Sequence, residues 1–285
     1  MRILLFLSIL VSGFAAAQTY PTKPVRILVP AQPGGGLDLV GRTIGDQLGR
    51  ALGQSFIIEN SGGGGGAIAS MTVARAAPDG YTLMVGYVGT HATNPATRKV
   101  NYDAVRDFTP IGMVGGTPNL IVVQPSLPVQ DLKGLVERAR ANPGRLTYGS
   151  GGIGTLNHPS RSVNAGLAAA LPHLRTKKAK PLAITGAKRH PLLPDVPTFE
   201  ESGYPGFDGI QWYGIVGPAK MPEPVVRRLN EEINKALASP ALRQRLAAEA
   251  IDPMPMSPAE FGRFIQSEIA RWSKLAAERR IRLED

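Results

Sequence analysis

An α/β fold is predicted by three observations. Short β-branched runs alternate with amphipathic runs at helical spacing, glycine-rich loops separate several strands from the helices after them, and turn signals close each unit. Strands alternating with helices argue for a parallel sheet with helices on its faces. The run Val25-Arg26-Ile27-Leu28-Val29 is the first strand and ends at Pro30. Gly34-Gly35-Gly36 follows, and then a helix from about Asp38 to Leu52, with Val40, Ile44 and Leu48 on one face and Gly53 as its stop. Phe56-Ile57-Ile58 is the second strand. Gly62 to Gly66 form a second glycine loop, and Ala67 to Ala77 a small-residue helix. Pro78-Asp79-Gly80 is a turn, and Tyr81 to Val85 the third strand.

A second unit begins near Pro110. Ile111–Val114 and Leu120–Val123 read as two strands. Asp131 to Ala141 reads as a helix closed by Asn142-Pro143-Gly144. Leu146-Thr147-Tyr148 is a strand running into a third glycine loop, Gly149 to Gly154, and Pro181 to Thr185 and Trp212 to Val216 are further strands. The C-terminal part is helical. Val226, Leu229, Ile233 and Leu237 line one face, Ser257-Pro258-Ala259-Glu260 has the form of a capping box, and Phe261, Ile265, Ile269 and Trp272 mark a last amphipathic helix.

The 285 residues suffice for one large or two modest domains, and 43% hydrophobic content excludes a disordered chain. With no cysteine, disulfides, thiolate metal sites, a cysteine nucleophile and a lipidated cysteine anchor are excluded. Residues 1–17 read as a cleavable signal peptide, with Arg2 as the positive start, Ile3 to Phe14 as an apolar stretch too short to span a bilayer, and Ala15-Ala16-Ala17 at the cleavage site. A soluble, exported, basic chain is expected. The net charge of +10 is concentrated at Arg175 to Lys180, Lys188-Arg189 and the C-terminus, without interleaved aromatics, which argues against nucleic-acid binding.

In a parallel sheet, ligands gather at the carboxyl ends of the strands. The loops Gly34–Gly36, Gly62–Gly66 and Gly149–Gly154 are expected there, each before a helix whose free N–H groups suit a carboxylate or phosphate. Ser150 and Thr155 add hydroxyl donors. No loop ends in Gly-Lys-Ser/Thr, and the GxGxxG spacing is met only trivially by the five glycines, so nucleotide binding is not expected. His91, His158, His173 and His190 show no metal-ligand spacing. An exported hydrolase or lyase is the alternative class. It would need a nucleophile–base pair such as Ser150 with His91 or His158.

The ordered motifs resemble a known family. They are Pro33-Gly34-Gly35-Gly36-Leu37-Asp38, Pro78-Asp79-Gly80-Tyr81-Thr82-Leu83, Thr90-His91-Ala92-Thr93-Asn94-Pro95, Tyr148 to Thr155, Leu193-Pro194-Asp195-Val196-Pro197-Thr198 and Trp212-Tyr213-Gly214. The chain is similar to the Bug (TctC-type) extracytoplasmic receptors of tripartite tricarboxylate transporters. The resemblance implies a type II periplasmic-binding-protein-like fold, with two α/β domains around a cleft. Domain 1 would be residues 18–112 plus 215–285, and domain 2 residues 113–214. It implies a periplasmic, monomeric receptor for a small carboxylate, without a cofactor and without catalysis, served by membrane permease subunits. Gly34, Gly35, Gly36, Asp38, Thr90, His91 and Asn94 would hold the ligand from domain 1, and Ser150, Gly152, Gly154 and Thr155 from domain 2. Leu37 stands where the family often has threonine.

One departure from that pattern concerns domain 2. The resemblance holds to His158 and resumes near Leu167, so that residues 159–166 stand where the family has a crossover unit longer by about 35 to 40 residues. Between the strands at 146–148 and 181–185 there is room for one helix only. A diminished domain 2 follows, with exposed sheet edges and impaired binding unless residues 159–180 rearrange to close the smaller sheet.

Overall fold

The computed structural model describes residues 20–146, 148–150 and 162–281. The signal peptide expected at 1–17 lies outside these residues.

Strand β1 (Val25–Val29) alternates with helix α1 (Gly36–Leu52), β2 (Phe56–Asn60), α2 (Ala67–Ala74) and β3 (Thr82–Tyr87). β1 pairs in parallel with both β2 and β3, as the alternation predicts. α1 forms because its apolar residues recur every four positions. Val40, Ile44 and Leu48 are fully buried against β1 and β3, each contributing about 2 kcal/mol of apolar burial. Gly53 ends it in the left-handed conformation (φ 69°).

After a π-helical turn at Gly89–Thr93 and the short α3 (Asn94–Thr97), the chain enters β4 (Phe108–Val123). Here the structure corrects the sequence reading. Ile111–Val114 and Leu120–Val123 belong to one 16-residue strand, not two. Gly115 and Gly116 do not break it, because the antiparallel partner β8 (Ile210–Pro218) follows it from Phe108 to Pro118, with register shifts at Pro110/Gly112 and Met113/Gly115 that absorb the irregularity. The sheet is therefore mixed rather than wholly parallel, since β8 also pairs antiparallel with β3.

From Asn119 onward β4 changes partners and becomes a central strand of a second sheet. α4 (Leu132–Ala141) is capped by Asp131, whose side chain accepts from Gly134 N. β5 (Tyr148–Ser150) pairs in parallel with β6 (Ser162–Gly166), and β6 pairs antiparallel with β4 over Asn119–Val123. α5 (Leu167–Arg175) follows, and β7 (Lys180–Ile184) lies on the other side of β4. The expectation of a single helix between the strands at 146–148 and 181–185 misses β6. Ser162-Val163-Asn164-Ala165-Gly166 carries too little apolar alternation to announce a strand, and its pairing with β4 decides its conformation.

The C-terminal helices return to the first sheet. α6 (Glu223–Ala238) packs Val226, Leu229, Ile233 and Leu237 into the core shared with α1, and α7 (Pro240–Ala248) adds Leu242 and Leu246. The short β9 (Asp252–Pro253) pairs with Gly115–Gly116 of β4. α8 (Pro258–Arg279) starts on the predicted capping box, with both hydrogen bonds between Ser257 and Glu260 formed. It lays Phe261 and Ile265 on the opposite face, where they meet α2, Met113 and Trp212. Glu268 accepts from the indoles of Trp212 (3.1 Å) and Trp272 (3.3 Å), which ties this helix to β8. A separate core of Leu120, Val122, Leu167, Ala170, Leu171 and Ile184 fills the second sheet.

Candidate functional site

The head of α1 carries the first glycine loop. No side chain caps this helix, so its first N–H groups are not claimed by a capping residue. The loop is shaped by Asp38, which is buried. Its Oδ2 accepts from Gly34 N (2.9 Å) and Arg42 Nε (3.0 Å), and its Oδ1 from Asn60 Nδ2 (3.0 Å). Burial pushes the Asp38 carboxyl up, but the Arg42, Gly34 and Asn60 hydrogen bonds outweigh it and hold the group below its ordinary value. Asn60 also donates to Ala31 O (3.2 Å), which fastens the end of β2 to the loop.

The second glycine loop is clamped by three donors. Arg98 Nη2 donates to Gly64 O (2.7 Å), while Asn94 Nδ2 (2.8 Å) and Tyr87 Oη (3.2 Å) both donate to Gly65 O. Gly65 and Gly66 have φ of 63° and 90°, a region that favours glycine, and a Cβ on Gly66 would lie 2.6 Å from Thr90 Cγ2. The turn after β3 completes the arrangement. Thr90 Oγ1 pairs with His91 Nδ1 (2.8 Å), and Tyr102 Oη donates to Thr90 O (2.8 Å). His91 is fully buried edge-on to Phe108, with ring centroids 4.6 Å apart. Desolvation lowers its pKa to about 3, which keeps it neutral.

The structure thus brings Gly34, Gly35, Gly36, Asp38, Thr90, His91 and Asn94 into one region at the carboxyl ends of β1 and β3. Asp38 accepts and Asn94 Nδ2 donates within the loops, while His91 pairs only its Nδ1, with Thr90, and its buried Nε2 has no partner among the described residues. Tyr148–Ser150 form β5, but the Ser150 side chain and the residues Gly152, Gly154 and Thr155 lie outside the described residues. Sequence reasoning missed Arg42, Asn60, Tyr87 and Arg98. Arg42 was recognisable from its i,i+4 spacing to Asp38. The others meet their partners only through the fold. Among the described residues no group of three or more His, Asp or Glu is placed to hold a metal ion, and no helix is long and apolar enough to cross a membrane.

β4 runs from the first sheet into the second, and this fold is shared with the periplasmic binding protein BugD, 27% identical with a TM-score of 0.86, covering 93% of this chain and 100% of that one. The comparisons with known proteins give the family. The model of the tripartite tricarboxylate transporter family receptor matches residues 40–162 and 159–281. The chain belongs to this family. A relative from Pseudomonas sp. (strain P51), described as a UPF0065 protein in the tcbD-tcbE intergenic region, is 31% identical over 295 residues, covering 92% of this chain and 88% of the relative. Among solved structures, a Rhodopseudomonas palustris protein with adipate (Rpa4515) is 31% identical with a TM-score of 0.86, covering 90% of this chain and 97% of that one. MatC from the same organism, with bound malate, is 30% identical with a TM-score of 0.85, covering 90% and 99%.

Proposed function

We propose that this chain is a periplasmic solute-binding receptor that closes on a small carboxylate and delivers it, as a monomer, to the membrane permease subunits of a tripartite transporter. The observation that carries this reading is membership of the tripartite tricarboxylate transporter receptor family together with the near-full-length match to two proteins whose structures hold adipate and malate. The uncapped head of α1 supplies the local chemistry, since N–H groups at a positive helix end suit a carboxylate. The proposed domains are residues 18–112 with 215–285, and residues 113–214, joined where β4 and β8 pass between the sheets. Gly34, Gly35 and Gly36 are assigned to the ligand. Asp38, Asn94, His91 and the fully buried Thr90 are assigned to holding the loops rather than to the rim. Ser150, Gly152, Gly154 and Thr155 are assigned to the opposite jaw.

The second domain is proposed to be shortened near 159–166 yet closed. The family match breaks into two segments that meet at 159–162, and an alignment of 295 positions exceeds the 285 residues of the chain, so the relative carries residues absent here. The pairing of β6 on β4 supports rearrangement over an open, defective sheet. A hydrolase or lyase finds no support in His91, whose Nδ1 bonds Thr90 and whose ring is sealed from solvent.

A thermal-shift screen of the mature chain against adipate, malate, citrate and aromatic carboxylates tests the reading. A ligand that binds only the folded state raises Tm progressively with the logarithm of its concentration above Kd, with no turnover of the ligand. Turnover, or the absence of any shift at millimolar ligand, overturns it.

A further inference from the structure

Four tyrosines of this fold, two half-buried and two buried, divide into two groups. Tyr20 Oη donates to Gly80 O (2.7 Å), Tyr87 Oη to Gly65 O (3.2 Å) and Tyr102 Oη to Thr90 O (2.8 Å). Tyr213 is more deeply buried, at 2% exposure, yet its hydroxyl has no hydrogen-bond partner among the described residues. It sits on β8 beside Tyr87 of β3, in the first sheet and next to β4, which runs on into the second. A phenylalanine would fill the same ring volume, so packing alone does not account for the hydroxyl.

The surroundings of Tyr213 Oη show what the hydroxyl meets. A Cβ on Gly36, the first residue of α1, would lie 2.9 Å from Oη, 3.6 Å from the ring carbon that bears it and 3.8 Å from Ala168 Cβ. Ala168 belongs to the first turn of α5, where no side chain caps the helix and its N–H goes to Thr117 Oγ1 (3.1 Å). The heads of a 17-residue helix from one sheet and a 9-residue helix from the other therefore converge on this phenol. Both present their positive ends. Burial, with Tyr87 nearby, raises the phenol's pKa, so it remains a donor toward an anion.

We propose that Tyr213 is a ligand-contacting, specificity-determining residue, whose Oη donates a hydrogen bond to a carboxylate oxygen held where the heads of α1 and α5 meet. In this shortened chain the N-terminus of α5 then serves as part of the second jaw, and Gly36 is glycine because a side chain there would block the phenol. The inference rests on the carboxylate-receptor reading.

The test compares the full mature chain with Y213F by calorimetric titration of adipate and malate, with the unliganded Tm of both. Loss of one hydrogen bond to a charged oxygen predicts binding about tenfold to a hundredfold weaker in Y213F, with the unliganded Tm equal or higher. Equal affinity of the two chains overturns the role of Tyr213 and leaves the receptor reading standing. Absence of binding by the unmutated chain overturns the receptor reading and this one with it. Should Y213F not fold, 3-fluorotyrosine placed at 213 reports directly. A ¹⁹F shift on saturation with the bound dicarboxylate supports the contact, and an unmoved resonance overturns it.

Discussion

Asp38 and His91 show how single residues of this site act through what they hold. Asp38 gathers Gly34 N–H, Arg42 and Asn60 on one carboxylate, so D38A is expected to leave these donors unpaired. We predict a stability loss of about 1–3 kcal/mol by chemical denaturation, with weaker carboxylate binding because the Gly34–Gly36 loop loses its anchor. His91 acts on stability through protonation. Its folded pKa, near 3, lies below the ordinary value of 6.5, so in the window between them the unfolded chain binds the extra proton. The contribution is complete above the unfolded pKa and shrinks as pH falls toward 3. Asp38, Asp103, Glu201 and Glu260, all held low by hydrogen bonds and cation partners, add losses only at the acidic end of this range. H91F keeps a ring against Phe108 and removes the titration. Its denaturation free energy is expected to vary less between pH 4 and 6.5 than that of the unmutated chain, and an unchanged slope would contradict the assignment.

At the scale of elements, the glycine loop at Gly62–Gly66 is held from outside by Arg98, Asn94 and Tyr87. G65A places a Cβ against the Arg98 guanidinium at a residue with φ 63°, so it is expected to lower Tm and loosen ligand binding. S257A removes one half of the capping box of α8, and a loss of about 1 kcal/mol is expected, with ligand affinity unchanged because that helix start carries no loop of the site. These elements also show what the sequence made legible. β1, α1 and α8 were readable because Val40, Ile44 and Leu48 keep helical spacing and because Ser257 and Glu260 form a local cap. The continuity of β4 was not readable, since Gly115, Gly116 and Pro118 look like a break until β8 is laid beside them. β6 was hidden for the same reason, its conformation being set by Asn119–Val123 across the sheet. The loop glycines at 62–66 could be placed after β2 from the order of the sequence alone. The donors that fix them, Tyr87 and Arg98, lie 22 and 34 residues from their acceptors and leave no local pattern.

For the whole molecule, the second sheet is proposed to close although its unit is shortened. β6 takes its place directly against β4, and α5 seals the small core of Leu120, Val122, Leu167 and Ile184. A single cooperative unfolding transition is expected for the mature chain. An early transition of the second unit, abolished by inserting a crossover unit from a relative at 159–162, would show instead that the shortened sheet is defective. The central claim, that this shortened chain still receives a small carboxylate between its two sheets, is tested most directly by isothermal titration of the mature protein with adipate and malate. The account predicts saturable one-to-one binding of at least one of them, with the ligand recovered unchanged. A folded chain that takes up neither, at millimolar concentration, would contradict it.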